Sequence, residues 1–331
     1  MNSRPIAITM GDPNGIGPEI IAKAFATGGL EDCVVIGDAA RMGQAVDITG
    51  TGLAINTLNG LETLRRGDAV SVIQVGPDTS AWAFGTVTAE AGQASFSYLE
   101  AGIDAALAHK ISALVTAPIH KEAWSKAGVA YPGHTEVLAD RAGGVPVAMM
   151  LANSDLRVVL VTIHISLRKA CDLITFEREL ETIRQAHHAG IALGYATPRI
   201  AVAGLNPHAG EGGLFGKEEI DIIAPAIEAA RAEGIDATGP WPGDTIFGRA
   251  RKGAFDVVVA QTHDQGLIPV KYLGIEDGVN ITFGLPFVRT SPDHGTAFDI
   301  AGTGVADAAS LLTSIDYARR LTSAANGGAR S

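Results

Sequence analysis

Six short runs, residues 6–10, 34–37, 113–117, 157–163, 199–203 and 256–260, are apolar at consecutive rather than alternate positions. Each gives way to a Gly, Pro or His turn and then to an Ala-rich stretch. Strands that read this way are covered on both faces, because a strand with one wet face alternates. Helical stretches at residues 18–25, 89–109, 177–192 and 218–233 intervene, so the chain predicts a largely parallel α/β fold. Pro18 suits the first turn of a helix and Gly234 its stop.

At 331 residues, and roughly 150 residues per domain, two domains or one large α/β unit are expected. No Pro/Gly/Ser-rich linker marks a border, which implies a shared sheet or a chain that passes between lobes more than once. Hydrophobic residues make up 47% and charged residues 18%, which excludes wholesale disorder. A net charge of −11 disfavours a nucleic-acid partner held by a broad cationic surface. The two cysteines, Cys33 and Cys171, build neither a disulfide framework nor a thiolate zinc cluster and read as buried free thiols. The first residues lack the apolar core of a signal peptide, and no apolar run spans a bilayer. A soluble cytoplasmic protein is expected, frayed only over residues 324–331.

Three histidines stand just past predicted strands: His164, His208 and His263. Open α/β sheets bind ligands at the carboxyl ends of their strands. One strand-end histidine is ordinarily a hydrogen-bonded turn residue, but three at equivalent positions, without a cysteine, read as an open metal site that keeps room for substrate. His208 lies in the flexible run Asn206-Pro-His-Ala-Gly-Glu-Gly-Gly213. Asp264 follows His263 and can orient its ring.

A second set comprises His134, Thr135, Lys271, Asn280 and Arg289. Two cations, an amide and a His-Thr pair suit an anionic small molecule, at about 1.5–3 kcal/mol per charge-assisted hydrogen bond. The loop Gly11-Asp-Pro-Asn-Gly-Ile-Gly17 either cradles an anion at a helix N-terminus or is only a tight turn. It is no dinucleotide fingerprint, since the third glycine of that pattern falls on Ile20. Asp244 and Asp293 sit in stiff turns, where an acid ordinarily braces the backbone.

These motifs together resemble the 4-hydroxythreonine-4-phosphate dehydrogenase family over nearly the whole chain. The resemblance rests on Ile8-Thr-Met-Gly-Asp-Pro-Asn-Gly-Ile-Gly-Pro-Glu19, Thr116-Ala-Pro-Ile-His-Lys121, Gly133-His-Thr-Glu136, Leu205-Asn-Pro-His-Ala-Gly-Glu-Gly-Gly213, His263-Asp-Gln-Gly266 and the run Gly278 to Thr290. It implies a fold like isocitrate and isopropylmalate dehydrogenases, two α/β lobes with the active site in the cleft, and a homodimer whose partners share the metal site. Residues 1–133 with 296–331 would form one lobe and 134–295 the other. Matching motifs carry over His164, His208 and His263 as metal ligands, and His134, Thr135, Lys271, Asn280 and Arg289 as substrate contacts. NAD or NADP would bind without a Rossmann loop, at residues the motifs leave unknown.

The implied reaction oxidises the C3 hydroxyl of 4-phosphooxy-L-threonine and then releases CO2, yielding 3-amino-2-oxopropyl phosphate for pyridoxal phosphate biosynthesis. A lysine about 4 Å away offers roughly 4 kcal/mol at an effective dielectric of 20. A divalent ion (Zn, Mg or Co) that lowers the pKa of bound water from about 15.7 to about 7 offers roughly 12 kcal/mol. The ion is the larger lever; Lys271 and Asp244 remain for anchoring and proton transfer. Related activities on D-threonate or D-erythronate 4-phosphate, or on aromatic cis-dihydrodiols, share the scaffold. Two other classes are a metal-dependent lyase without nicotinamide, with Glu211 or Asp264 as base, and a metal-stabilised sugar-acid sensor.

Overall fold

The computed structural model describes residues 4–61, 67, 69–274 and 278–327. The chain divides into two compact units, Met1–Val147 with Leu285–Thr322 and Ala148–Gly284 with Ser323–Ser331, and so passes between them more than once.

In the first unit, strands β1 (Ile6–Thr9), β2 (Cys33–Gly37), β3 (Ile55–Leu58), β4 (Val70–Gln74), β5 (Ala113–Thr116) and β12 (Val288–Pro292) lie in the order β3-β4-β2-β1-β5-β12. Their pairings are parallel, and β1, β2 and β5 are buried at every residue. Helices α1 (Gly17–Ala26), α2 (Ala39–Thr49), α3 (Ala89–Leu107), α4 (Lys121–Lys126), α5 (His134–Arg141) and most of α11 (Ala309–Gly327) belong to the same unit. Asp38 caps α2 by accepting from the Ala40 and Arg41 N–H groups, and the Thr88 hydroxyl caps α3. Ile8, Ile20, Val35, Leu99 and Leu114 anchor the core, each buried aliphatic side chain contributing about 1.5–3 kcal/mol.

The loop after β1 resolves to the tight turn. It is buried throughout, and a Cβ on Gly11 (φ +73°) would meet the Pro118 carbonyl oxygen at 2.2 Å. Its own Asp12 carboxyl accepts the Asn14 N–H at 2.9 Å, which puts an acid where an anionic ligand would have to sit.

In the second unit, β6 (Ala148–Ala152), β7 (Arg157–Leu160), β8 (Ile200–Ala203), β9 (Ala237–Trp241), β10 (Val257–Ala260) and β11 (Val279–Phe283) follow the order β11-β6-β7-β10-β8-β9. β7, β10, β8 and β9 pair in parallel. β6 runs antiparallel to both of its neighbours, because an Asx turn reverses the chain: the Asn153 side-chain oxygen accepts from the Asp155 and Leu156 N–H groups. The helices are α6 (Leu167–Leu173), α7 (Phe176–Ala192), α8 (Ala224–Ala232), α9 (Gly243–Arg251) and α10 (His263–Leu273), with a π-helical turn at Glu219–Ile223.

The division differs from the lobe boundaries expected at 133/134 and 295/296. His134, Thr135 and Arg289 fall in the first unit, since Val137 and Leu138 of α5 join its core and β12 pairs with β5. Cys33 is buried as expected, but Cys171 is exposed: α6 is short and buries only Ala170. Of the tail, α11 runs to Gly327, and residues 328–331 lie outside the described residues.

Candidate functional site

Each unit places a pocket at the carboxyl ends of its parallel strands. In the first unit a cavity of about 220 Å³ opens where β5 and β12 end, lined by Thr116, Lys121, His134, Ser291 and His294 among others. Arg289 stands beneath it on β12, 3% exposed, and its Nη2 donates to the Thr116 Oγ1 at 2.7 Å. The register that pairs Arg289 with Leu114 of β5 makes this contact between residues 173 apart in sequence. Burial pushes the Arg289 guanidinium down to about 10, while nearby Glu136 acts in the opposite direction.

His134 opens α5, its ring edge-on to Trp124 at 5.7 Å between centroids. Burial, then the charges of Arg289 and Lys121, hold its pKa well below the ordinary imidazole value. Its Nε2 and that of His294 are sealed from solvent and have no hydrogen-bond partner among the described residues. A buried guanidinium, a nearby lysine, the neutral His134 ring and the unused Nε2 atoms of His134 and His294 form a receptor for a compact anion.

In the second unit a wider cavity of about 510 Å³ opens where β7 and β10 end, lined by Thr162, His164, Leu167, Thr262, His263 and Asp264 among others. The His164 and His263 ring centroids are 5.6 Å apart. Two imidazoles on one tetrahedral ion, with bonds of about 2.0–2.1 Å, have centroids roughly 5 Å apart, so this pair fits a shared ion. The Nδ1 of His263 meets Asp264 Oδ1 at 2.7 Å, which leaves Nε2 as the ligating nitrogen.

His208 stands apart, 6.3 Å from the Phe215 ring. It opens a left-handed turn in which residues 208–212 all have φ between 44° and 78°. Ala209 and Glu211 adopt this conformation without being glycine, a cost of roughly 1–2 kcal/mol each. The turn is fastened from below: Glu219 accepts from the Asn206 N–H at 2.6 Å and from its Nδ2 at 2.9 Å. Among the described residues no group of three His, Cys, Asp or Glu is close enough to hold an ion. Two of the three histidines therefore meet, and the third does not.

Thr135 follows His134 on α5, partly exposed. Lys271 lies in the last turn of α10, and Asn280 on β11 donates to the Met149 sulfur at 2.9 Å. Asp244 is exposed in the first turn of α9. Thr116, Lys121 and His294 were not singled out from the sequence as site residues. Their signal was the polar ends of two buried strands, Thr116-Ala-Pro-Ile-His-Lys121 after β5 and Ser291-Pro-Asp-His294 at the end of β12.

The family model described as pyridoxal phosphate biosynthetic protein PdxA matches residues 30–318. A protein of Beijerinckia indica named 4-hydroxythreonine-4-phosphate dehydrogenase is 57% identical over 97% of this chain and 96% of its own. One of Cupriavidus necator named D-threonate 4-phosphate dehydrogenase is 48% identical over 94% of this chain and 95% of its own. The crystal structure of 4-hydroxythreonine-4-phosphate dehydrogenase from Klebsiella pneumoniae superposes with a TM-score of 0.89 at 46% identity, covering 97% of this chain and 98% of that one.

Proposed function

Because the chain belongs to the PdxA family, we propose that it is a dehydrogenase that uses NAD or NADP to oxidise the C3 hydroxyl of 4-phosphooxy-L-threonine. The resulting β-keto acid loses CO2 to give 3-amino-2-oxopropyl phosphate. The observation that carries this reading is the pocket lined by Thr116, Lys121 and His134 with Arg289 buried against Thr116, an arrangement that suits a compact anion.

Arg289 and Lys121 hold an anionic group of the substrate, and neutral His134 adds one hydrogen bond without competing for the charge. Thr135, Lys271 and Asn280 complete the substrate contacts. Lys271, with Asp244 as relay, takes the proton of the C3 hydroxyl; a bound nicotinamide would supply the hydride acceptor. Decarboxylation then returns an electron pair to the ketone, and a proton delivered by the same groups quenches it. His164, His263 and, as third ligand, His208 would hold a divalent ion (Zn, Mg or Co). That ion supplies positive charge that favours loss of the hydroxyl proton and of CO2.

The enzyme works, on this reading, as a cytoplasmic homodimer. Nine of the eleven large apolar side chains exposed among the described residues belong to the second unit, including Leu167, Leu214, Ile268 and Tyr272. That concentration favours an interface there. Among the described residues no helix is long and apolar enough to cross a membrane.

The test is purified protein with NAD or NADP and a divalent ion, assayed against 4-phosphooxy-L-threonine, D-threonate 4-phosphate, D-erythronate 4-phosphate and a carboxylated cis-dihydrodiol. The highest kcat/KM is expected for 4-phosphooxy-L-threonine. A D-threonate 4-phosphate preference replaces the substrate. Product without reduced nicotinamide indicates a lyase, and tight binding without turnover a sensor.

A further inference from the structure

One buried side-chain pair in the second unit lies outside the machinery described so far yet reaches all three strands that lead to the histidines. Gln261, the residue after β10, is fully buried. Its Nε2 donates both hydrogens, to Glu179 Oε1 of α7 at 2.8 Å and to the carbonyl of Ala203, the last residue of β8, at 2.9 Å. The Gln261 backbone carbonyl accepts from Thr162 Oγ1 at 2.7 Å, just past β7. Gln265 closes the set, its Oε1 taking the Gln261 N–H and its Nε2 donating to the Gly204 carbonyl, both at 2.7 Å. Thr162, Gly204 and Gln261 precede His164, His208 and His263 by two, four and two residues. One hub therefore ties together the exits of β7, β8 and β10.

The hub is incomplete as heavy atoms alone. Glu179 Oε2 and Gln261 Oε1 are both buried and without a partner among the described residues. The amide cannot be turned over to help, because the Ala203 carbonyl only accepts and so requires Nε2 on its side. A carboxylate and an amide oxygen are both acceptors, and a single proton on the carboxyl satisfies both. We propose that Glu179 is a neutral carboxylic acid in the folded protein, that it donates to Gln261 Oε1 in a two-bond acid–amide ring, and that this ring positions the strand ends bearing His164, His208 and His263.

The titration of Glu179 agrees: burial pushes it up to about 7, and the Gln261 hydrogen bond is the opposing influence. The N-terminus of α7 favours the ionised form, yet Gln261 Nε2 is the hydrogen-bond donor given to this carboxyl. Arg157 of β7 donates to the Ser154 carbonyl and Asp221 of the π-helical turn is exposed, and other charged groups on the elements packed against α7 have partners of their own. Glu219 of the π-helical turn takes Asn206, Asp256 before β10 pairs with Arg199, and Glu228 and Arg231 of α8 pair with each other. Ionising Glu179 would set a sealed negative charge beside an amide oxygen and open the ring.

Carbon-13 NMR of the wild-type protein, labelled at the glutamate carboxyls and titrated from pH 5 to 8, tests the protonation. One carboxyl should titrate near 7, and its signal should be missing from Glu179→Gln. Ionisation of every glutamate below pH 5.5 overturns the acid–amide ring, and this measurement needs no variant to fold. Hydrogen exchange tests the positioning. In the wild type, protection of residues 160–165, 203–208 and 260–265, corrected for intrinsic rate, should fall severalfold from pH 6 to 8. Glu179→Gln keeps an uncharged amide ring and should show no such change. Exchange that changes only within α7, or equally in both proteins, overturns the positioning role. The functional consequence rests on the dehydrogenase reading. The pH profile of kcat from 6 to 8 should then differ between wild type and Glu179→Gln as exchange does; divergence in exchange with identical kcat profiles refutes the part the histidines play there and leaves the ring intact.

Discussion

The pocket at the ends of β5 and β12 is small and stands over a buried guanidinium, whereas the pocket at the ends of β7 and β10 is more than twice its volume and presents an exposed His164 beside a partly exposed His263. Arg289 is 3% exposed, while the His263 side chain is 36% exposed and His164 is exposed. A buried cation carries a standing desolvation cost that a bound anion relieves, so the first pocket is poised for its ligand before the ligand arrives. The histidine pocket stores no such cost. Its two meeting rings are cheap to hold apart from an ion, and under the proposed reading the third, on a left-handed turn, would have to be recruited. The difference suggests that binding affinity is concentrated in the first unit and that the second supplies chemistry once assembled.

Arg289→Met should break the comparison most visibly. Truncating one partner of a buried charged contact costs about 2–5 kcal/mol, roughly 30- to 4,000-fold in KM. The variant's own melting temperature should hold or rise, because an apolar side chain replaces a buried cation. Steady-state kinetics and thermal unfolding on the same preparation check both signs. An unchanged KM removes Arg289 from substrate binding, and a large fall in stability shows that the guanidinium holds the fold rather than the ligand.

The histidine pocket is sharpened by a pair of variants. His263→Ala should weaken Zn2+ or Co2+ binding at least 100-fold, beyond the 10- to 100-fold that loss of an outer hydrogen-bond partner costs, and turnover should fall with it. If the left-handed turn delivers His208, then His208→Ala costs as much. If His208 stays against Phe215, its removal leaves affinity within about threefold of the wild type. Calorimetric titration of metal into each variant decides between these, and full activity of wild type after chelation removes the ion from the reaction.

How much of this was legible in the sequence follows from burial. The six runs read as strands all are strands, because each is apolar on both faces and cannot be anything half-wet. Of the six others, four went unread for identifiable reasons. β3 (INTL) has one fully buried residue, β6 (AMMLA) lacks β-branched residues, β9 (ATGPW) carries Gly and Pro, and β12 (VRTSP) buries polar groups. Strand-end logic found the three histidines, since each lies within five residues of a strand's last residue. It did not find that Arg289 reaches Thr116, because that contact depends on which strand lies beside β5. Nor did the glycines of residues 206–213 reveal that Ala209 and Glu211 also turn left-handed.

The two units should also differ in how stability responds to pH. His134 has a folded-state pKa well below 6.5, set by burial and by the charges of Arg289 and Lys121. The unfolded chain takes up a proton as pH falls through about 6.5 while the folded chain does not. Its contribution is therefore present above that pH and lost below it, with a slope approaching about 1.4 kcal/mol per pH unit. Glu179 acts oppositely. Its raised folded-state pKa gives stability that is present below the unfolded value of 4.5 and lost as pH rises toward 7. Melting temperatures across pH 4–8 should show, against wild type, a shallower loss below about pH 6.5 for His134→Asn and a shallower decline between about pH 4.5 and 7 for Glu179→Gln. Identical profiles for His134→Asn and wild type indicate that the ring titrates normally.

The smallest effect is expected at Asp264, and it bears on whether the open pocket is organised before an ion arrives. Its Oδ1 lies 2.7 Å from His263 Nδ1, but its side chain is 82% exposed. Water can therefore replace it as the acceptor that holds the ring. A buried outer partner costs 10- to 100-fold in affinity when lost, whereas an exposed one competes with solvent and is worth about 0.2–1 kcal/mol. Asp264→Asn should accordingly weaken metal binding about two- to fivefold and leave KM for the substrate unchanged, since the anion pocket belongs to the other unit. A loss beyond 30-fold would mean that Asp264 becomes enclosed in the working protein. That result would make the histidine pocket as preorganised as the anion pocket and erase the contrast drawn between them.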